Sequence, residues 1–68
     1  MRHVLIYTDE NGEWCASVPS LPGCNSQGET REEALANIKE AMDLYIETLI
    51  EDGYPVPDEP EQMDLALI

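Results

Sequence analysis

The stretch VPSLPGCNSQGET, residues 18–30, decides the fold of this chain because it joins a strand to a helix through closely spaced turn signals. Pro19 has no N–H to donate to a sheet, so the strand that precedes it ends there or runs along an edge. Pro22-Gly23 favours a tight turn. Thr30, with Glu33 three residues later, has the pattern of a helix capping box. The stretch therefore predicts a strand before it, a turn within it and a helix directly after it.

The residue pattern on either side of this stretch predicts an α+β fold. From residue 31 to about 52, apolar side chains recur every three or four residues, which is the period of an amphipathic helix. Gly53 then stands where a left-handed helix cap is needed, and Pro55 prevents the helix from resuming. The expected order is β-β-β-α-β, with one long helix packed on a mostly antiparallel sheet and strands at about residues 2–8, 14–18, 24–28 and 63–67.

The first two strands are expected to form a hairpin. Asn11-Gly12 is the preferred centre of a two-residue turn in which both residues take positive φ. That turn would place Leu5 opposite Val18. The opposite face of the hairpin, with Val4 and Ile6, is then left for a neighbouring subunit or the last strand. The predicted core face carries Leu5, Tyr7, Trp14, Ala16 and Val18.

Several of these segments together resemble a known family. The segments V-P-x-L-P-G-C, S-Q-G-x-T and E-E-A-L, followed after the helix by G-Y-P-V-P, are similar to the N-terminal domain of HicB-like antitoxins of bacterial and archaeal toxin–antitoxin pairs, a group that includes UPF0150-like proteins. The resemblance implies a single HicB-like domain over residues 1–68 and a fold usually described as a truncated relative of ribonuclease H. Many HicB-like antitoxins continue into a DNA-binding domain, and this chain is expected to lack one.

Charge limits the kind of partner that this chain can bind. It has 68 residues with 15 acidic and 3 basic side chains, which gives a net charge of −12. Nucleic acid binding needs clustered Lys and Arg, so we expect none, and a basic protein is the natural complement. A single small core supplies only about 3 to 5 kcal/mol of stability, so we also expect a homodimer or homotetramer.

The expected location of the protein in the cell and the state of its two cysteines follow from features that the sequence lacks. No run approaches the roughly 18 apolar residues of a membrane span, and the N-terminus has no hydrophobic signal region. We therefore expect a cytoplasmic protein. Cys15 and Cys24 are expected to be reduced thiols and to bind no metal, since the only other soft ligand, His3, is distant in the sequence.

The sequence also contains weak candidates for catalysis. Paired carboxylates at a strand end, here Asp9, Glu10 and Glu13, are what Mg²⁺-dependent nucleases of the ribonuclease H type use. A solvated acidic turn explains these residues better, because a working site needs carboxylates from other elements as well. His3 has no neighbouring nucleophile to activate. We expect no catalytic residues, no cofactor and no metal.

Acidic residues mark the candidate partner-binding surface. Along the helix they recur every three or four residues, away from the apolar stripe, and a second acidic patch follows in the connector after it. Like charges at this spacing cost about 0.2 to 0.5 kcal/mol each, so the pattern indicates either a basic partner or a solvated surface. The candidate partner-binding residues are Glu40, Asp43, Glu47 and Glu51 on the helix, with Asp58, Glu59 and Glu61 in the connector.

The resemblance implies that the chain is an antitoxin. HicB-like antitoxins neutralise small basic HicA-like toxins, which cleave mRNA, and the implied mechanism is masking of the toxin's RNA-binding and catalytic surface. Two alternatives remain from the sequence. One is a solitary HicB-like oligomer with no toxin partner, assembled through the face that carries Val4 and Ile6. The other, more remote, is a Mg²⁺-dependent nuclease that uses Asp9.

Overall fold

The computed structural model describes all 68 residues and contains three strands followed by one helix. The strands are β1 (Leu5–Thr8), β2 (Trp14–Ser17) and β3 (Asn25–Gly28), and the helix is α1 (Arg31–Glu51). The sheet is antiparallel with the order β1-β2-β3, and α1 packs across one of its faces. The predicted α+β class and the order of these four elements are confirmed.

The strand expected at residues 63–67 is not formed, and that part of the prediction is wrong. Residues after α1 make no ladder with the sheet. The N–H of Leu65 is donated to Oδ1 of Asp64 at 2.8 Å, so it is not offered to a neighbouring strand. Met63 and Leu65 instead lie beside Leu5 at the start of β1. Their apolar alternation is not matched by burial, since Met63 is 39% and Leu65 79% exposed.

The hairpin of β1 and β2 is shifted by one residue from the predicted register. Ile6 pairs with Ala16, so Ile6 and Val4 face the core, and the expectation that these two residues form an oligomer interface is wrong. Leu5 and Tyr7, which were predicted to be buried, are 38% and 47% exposed on the other face. Side chains alternate along a strand, and a shift of one residue therefore exchanges its two faces.

The turn between these strands accounts for the shift. Gly12 has a φ of 79°, but Asn11 does not take positive φ, so the expected two-residue turn is not formed. The N–H of Asp9 is donated to the carbonyl of Glu13 at 2.9 Å, which closes a three-residue loop over Glu10 to Gly12. Oδ1 of Asp9 also accepts the N–H groups of Asn11 and Glu13, each at 2.9 Å. These bonds select a three-residue hairpin loop that ends in a left-handed glycine.

Residues 18–30 turn twice between β2 and α1. The N–H of Cys24 is donated to the carbonyl of Leu21 at 3.0 Å, and Gly23 has a φ of 81°. With proline first and glycine second, this is a type II turn, and it buries Leu21 completely. At Gly28 the helix approaches so closely that an added Cβ would lie 2.7 Å from the backbone nitrogen of Ala34. Gly28 therefore sets the distance between β3 and α1.

Both ends of α1 are capped as the sequence predicts. Oγ1 of Thr30 accepts the N–H of Glu33 at 3.1 Å. At the other end Gly53 has a φ of 76°, and the N–H of Tyr54 is donated to the carbonyl of Leu49 at 2.9 Å. This is the Schellman ending, in which a left-handed glycine satisfies the last carbonyl groups.

The core lies between α1 and the inner face of the sheet, and it is small. Only 7 of the 68 residues are buried. Trp14, as predicted, and Tyr45 are partly buried and pack against this core. The buried apolar residues are Ala16, Val18, Leu21, Cys24, Ala34 and Ile38.

Candidate partner-binding surface

Four carboxylates lie along the solvent side of α1. They are spaced three or four residues apart, which places them on one face of the helix. The buried Ala34 and Ile38 occupy the opposite face. All four residues are exposed. We call this surface the acidic helix face, and it consists of Glu40, Asp43, Glu47 and Glu51.

No cation within the chain neutralises the acidic helix face. The only ion pair within 4.0 Å joins His3 and Glu59, and Lys39 makes none, although it lies four residues before Asp43. Glu51 is the last residue of α1 and lies near the negative end of the helix dipole. No basic residue in the last turn of the helix offsets this charge. These carboxylates repel one another by about 0.2 to 0.5 kcal/mol per neighbouring pair. A basic partner would convert that repulsion into attraction.

An apolar groove borders this face, between α1 and the type II turn. The hydroxyl of Tyr45 is donated to the carbonyl of Pro22 at 2.8 Å and holds the turn against the helix. Leu44 projects at the rim of the groove and is 63% exposed. It follows Glu40 by four residues and precedes Glu47 by three, so it lies next to both on the helix surface. The groove lining includes Gly23, Cys24, Ala41, Leu44, Tyr45 and Leu49.

One residue of the second acidic patch, Glu59, is hydrogen-bonded to His3 and Ser20. Oε1 of Glu59 accepts the backbone N–H of His3 at 3.1 Å and lies 3.0 Å from Nδ1 of the same residue. Oε2 accepts the hydroxyl of Ser20 at 3.3 Å. Desolvation opposes ionisation of Glu59, but these hydrogen bonds and the nearby His3 together lower the pKa of its carboxyl group. Glu59 therefore connects the segment after α1 to residues just before β1 and just after β2, while Asp58 and Glu61 remain exposed.

Comparison with known proteins identifies the family. Residues 3–67 match the model of a family described as the HicB-like antitoxin of bacterial toxin–antitoxin systems. The chain belongs to this HicB-like antitoxin family. It is 48% identical over 58 residues to a UPF0150 protein of Thermoplasma acidophilum, covering 84% of each chain. It is 52% identical over 56 residues to a UPF0150 protein of Synechocystis, covering 82% of this chain and 71% of the relative.

A solved structure has the same fold. The N-terminal domain of the Burkholderia pseudomallei antitoxin HicB superposes on this chain with a TM-score of 0.74 and 34% sequence identity. The match covers 87% of this chain and 69% of that domain. The resemblance inferred from residues 18–30 and the helix start is thus confirmed.

Two of the residues considered for catalysis in this HicB-like chain make structural contacts. Asp9 closes the hairpin loop with its carboxylate, and His3 contacts Glu59. No group of three or more His, Cys, Asp or Glu side chains is arranged to hold a metal ion. Cys15 and Cys24 are free thiols. Desolvation raises the pKa of both thiols, and the charges of nearby carboxylates raise that of Cys15 further, which disfavours the reactive thiolate.

Sequence reasoning located the acidic helix face but missed the groove beside it. The groove depends on where the type II turn meets α1, and residue spacing does not give that distance. One signal was available, because Leu44 is a large apolar residue outside the helix's apolar stripe.

The one helix, α1, has 21 residues but is too polar to span a membrane.

Proposed function

We propose that this HicB-like chain is an antitoxin that binds a small basic HicA-like toxin and masks its RNA-binding and catalytic surface. The observation that carries the proposal is the acidic helix face, whose four exposed carboxylates have no cation partner in the chain. Electrostatic complementarity of this kind steers association and selects partners of opposite charge. The proposed mechanism is occlusion, so the chain itself needs no catalytic group and no cofactor.

The proposed contact surface combines charge with an apolar anchor. The acidic helix face would meet Lys and Arg side chains of the toxin, and the groove at Leu44 would receive an apolar side chain between them. Asp58 and Glu61 are proposed as further contacts, and Glu59 adds negative charge to the same patch. A buried apolar anchor with a charged rim is the usual arrangement of a tight protein interface.

This proposal concerns a protein partner in the cytoplasm, where mRNA is translated, and gives the chain no nucleic acid contact. A net charge of −12 opposes direct phosphate binding. The chain would act by denying the toxin's basic surface to RNA.

Co-expression with the nearest encoded HicA-like toxin tests the proposal. The toxin alone should arrest growth, and induction of this chain should restore growth and give a complex that co-purifies through a tag on the toxin. A toxin that still arrests growth while the chain accumulates as folded protein would contradict the proposed function.

The alternative of a solitary oligomer needs a surface for self-association. The outer face of the sheet carries Leu5 and Tyr7, and it has no second helix to cover it. Self-association is compatible with the antitoxin proposal, because it would use a different surface of the molecule.

A further inference from the structure

β3 is an edge strand of the sheet, and part of its backbone faces away from β2. The N–H of Val18 is donated to the carbonyl of Cys24 at 3.1 Å, and in an antiparallel ladder the residues bonded to the neighbouring strand alternate from there. The N–H and carbonyl groups of Asn25 and Gln27 therefore point outward. The carbonyl of Gln27 agrees with this direction, because it accepts a hydrogen bond from Nδ2 of Asn37 at 2.9 Å.

The other three outward backbone groups of β3 have no partner within the chain. They are the N–H and the carbonyl of Asn25 and the N–H of Gln27, and both residues are exposed. Unpaired backbone groups along an edge are a template for another strand, and natural sheets often protect such an edge with charged residues or proline. β3 has neither, although the chain carries 15 acidic and 3 basic residues.

The apolar groove beside α1 opens onto the same edge. Asn25 lines the groove together with Cys24, Leu44 and Tyr45. Successive side chains of a strand point to opposite faces of the sheet. In a strand added to this edge, the residue opposite Asn25 would face away from α1, and its two neighbours would face α1. One of these neighbours is then placed to enter the groove.

We propose that an extended segment of the basic partner adds to the free edge of β3 and places an apolar side chain in the groove. This inference rests on the proposed function and specifies how the same partner is held. In strand addition, main-chain hydrogen bonds supply affinity and pockets for alternate side chains supply specificity. The N–H and carbonyl of Asn25 and the N–H of Gln27 bind the main chain of the segment, and Asn37 already occupies the next carbonyl along the edge.

Charge identifies a basic segment as the occupant of this edge. Leu44 at the rim of the groove lies next to Glu40 and Glu47, so Lys or Arg on either side of the apolar side chain would be attracted there. A second copy of this chain, with its net charge of −12, would be repelled. The other edge of the sheet is less suited, because Met63 and Leu65 already lie beside the start of β1.

Amide hydrogen exchange measured by NMR tests the strand addition, on this chain alone and in complex with a catalytically inactive HicA-like toxin. The N–H groups of Asn25 and Gln27 should exchange rapidly in the free chain and at least about a hundredfold more slowly in the complex. Ile6 and Thr8 are the matched controls, because their N–H groups point outward from the opposite edge of the sheet. Their exchange should not change.

The outcomes separate this inference from the proposed function. A complex in which Asn25 and Gln27 exchange as fast as in the free chain would overturn the strand addition and leave the proposed function in place. Absence of any complex would contradict both. Slow exchange of the same N–H groups in the purified chain alone would assign the edge to a second copy and would also overturn the proposal.

Proline substitution at the edge completes the test. Asn25→Pro removes an outward N–H and keeps the bonds to β2, since proline is tolerated where the N–H of an edge strand faces solvent. By calorimetric titration it should bind the inactive toxin at least about tenfold more weakly than Asn25→Ala, which keeps that N–H. Thr8→Pro, the same change on the edge of β1, should bind like wild type. A folded Asn25→Pro chain that binds as tightly as Asn25→Ala would overturn the proposal, and the exchange measurement decides the question if Asn25→Pro fails to fold.

Discussion

Ile6 lies directly opposite Ala16 in the first hairpin, and this pairing decides which face of the sheet is buried. Ala16 is 1% exposed at the centre of the core, so its partner on β1 is held against α1. The neighbours of Ile6 in the sequence, Leu5 and Tyr7, are turned to solvent. The same pairing thus places Ile6 in the core and leaves Leu5 and Tyr7 outside it.

Truncation of side chains along β1 should report this register. Ile6→Ala removes packing from the core and is expected to lower the free energy of unfolding by about 2 kcal/mol, whereas Leu5→Ala should cost less than about 1 kcal/mol. Urea denaturation of the two variants, at a concentration where both are monomeric, measures the difference. The reverse order of the two costs would mean that the other face of β1 is buried.

A close approach, and not φ, explains the glycine at position 28. In Gly28→Ala the new methyl group would lie 2.7 Å from the backbone nitrogen of Ala34 and 2.9 Å from Cβ of Glu33. We expect a loss of about 2 kcal/mol or more, since α1 must move away from β3.

Gly12→Ala is the matched control for Gly28→Ala. It meets no atom within 4 Å but must take a φ near 79°, so it should cost about 1 kcal/mol through backbone strain alone. Thermal unfolding of the two variants ranks these costs. A Gly28→Ala chain as stable as wild type would refute the close contact.

These elements show which parts of the fold the sequence can predict. Both ends of α1 could be predicted from neighbouring residues. Thr30 with Glu33 and Gly53 with Tyr54 are sufficient helix-capping signals by themselves. The hairpin register was not predictable in the same way, because both faces of β1 are apolar and the carboxylate of Asp9 selects the longer loop.

The candidate partner-binding surface was likewise predictable only in part. The acidic helix face could be read from residue spacing, because helix geometry alone brings carboxylates at such intervals together. The groove beside Leu44 and the tie between His3 and Glu59 join parts of the chain that are far apart in sequence, so only the folded structure reveals them.

The hydrogen bonds between His3 and Glu59 predict that the stability of the chain depends on pH. The pKa of Glu59 is lowered in the folded chain, so its carboxylate contributes stability that is fully present above the unfolded value of about 4.3 and is lost as the pH falls through the folded value. Glu59→Gln should therefore be less stable than wild type near pH 6, and the difference should shrink below pH 4.

Chemical denaturation of both proteins across this range measures that difference. Glu61→Gln serves as the control, because Glu61 is exposed and accepts no hydrogen bond from another side chain. A stability difference between wild type and Glu59→Gln that stays constant down to pH 3 would show that the carboxylate charge of Glu59 is not involved.

The apolar part of the proposed toxin contact can be tested with two similar side chains of α1. Leu44 and Ile50 are 63% and 64% exposed, but only Leu44 lines the groove. Leu44→Ala should weaken toxin binding by about tenfold or more, as truncation of a buried anchor does, and Ile50→Ala should change it little. Calorimetric titration against a catalytically inactive HicA-like toxin provides the dissociation constants. Equal dissociation constants for the two variants would show that the groove is not part of the interface. Such a result would not contradict the electrostatic part of the proposal.

The most direct test of the antitoxin account is the association rate with the inactive toxin, measured by stopped flow from about 0.05 to 0.5 M salt. Wild type should associate rapidly and slow steeply with salt. The neutralised variant E40Q/D43N/E47Q/E51Q should associate at least about tenfold more slowly at low salt and lose most of the salt dependence. The control E10Q/E29Q/E32Q/D64N, with the same change in net charge, should stay close to wild type. An association rate for wild type that does not vary with salt, or equal rates for the two variants, would contradict the account.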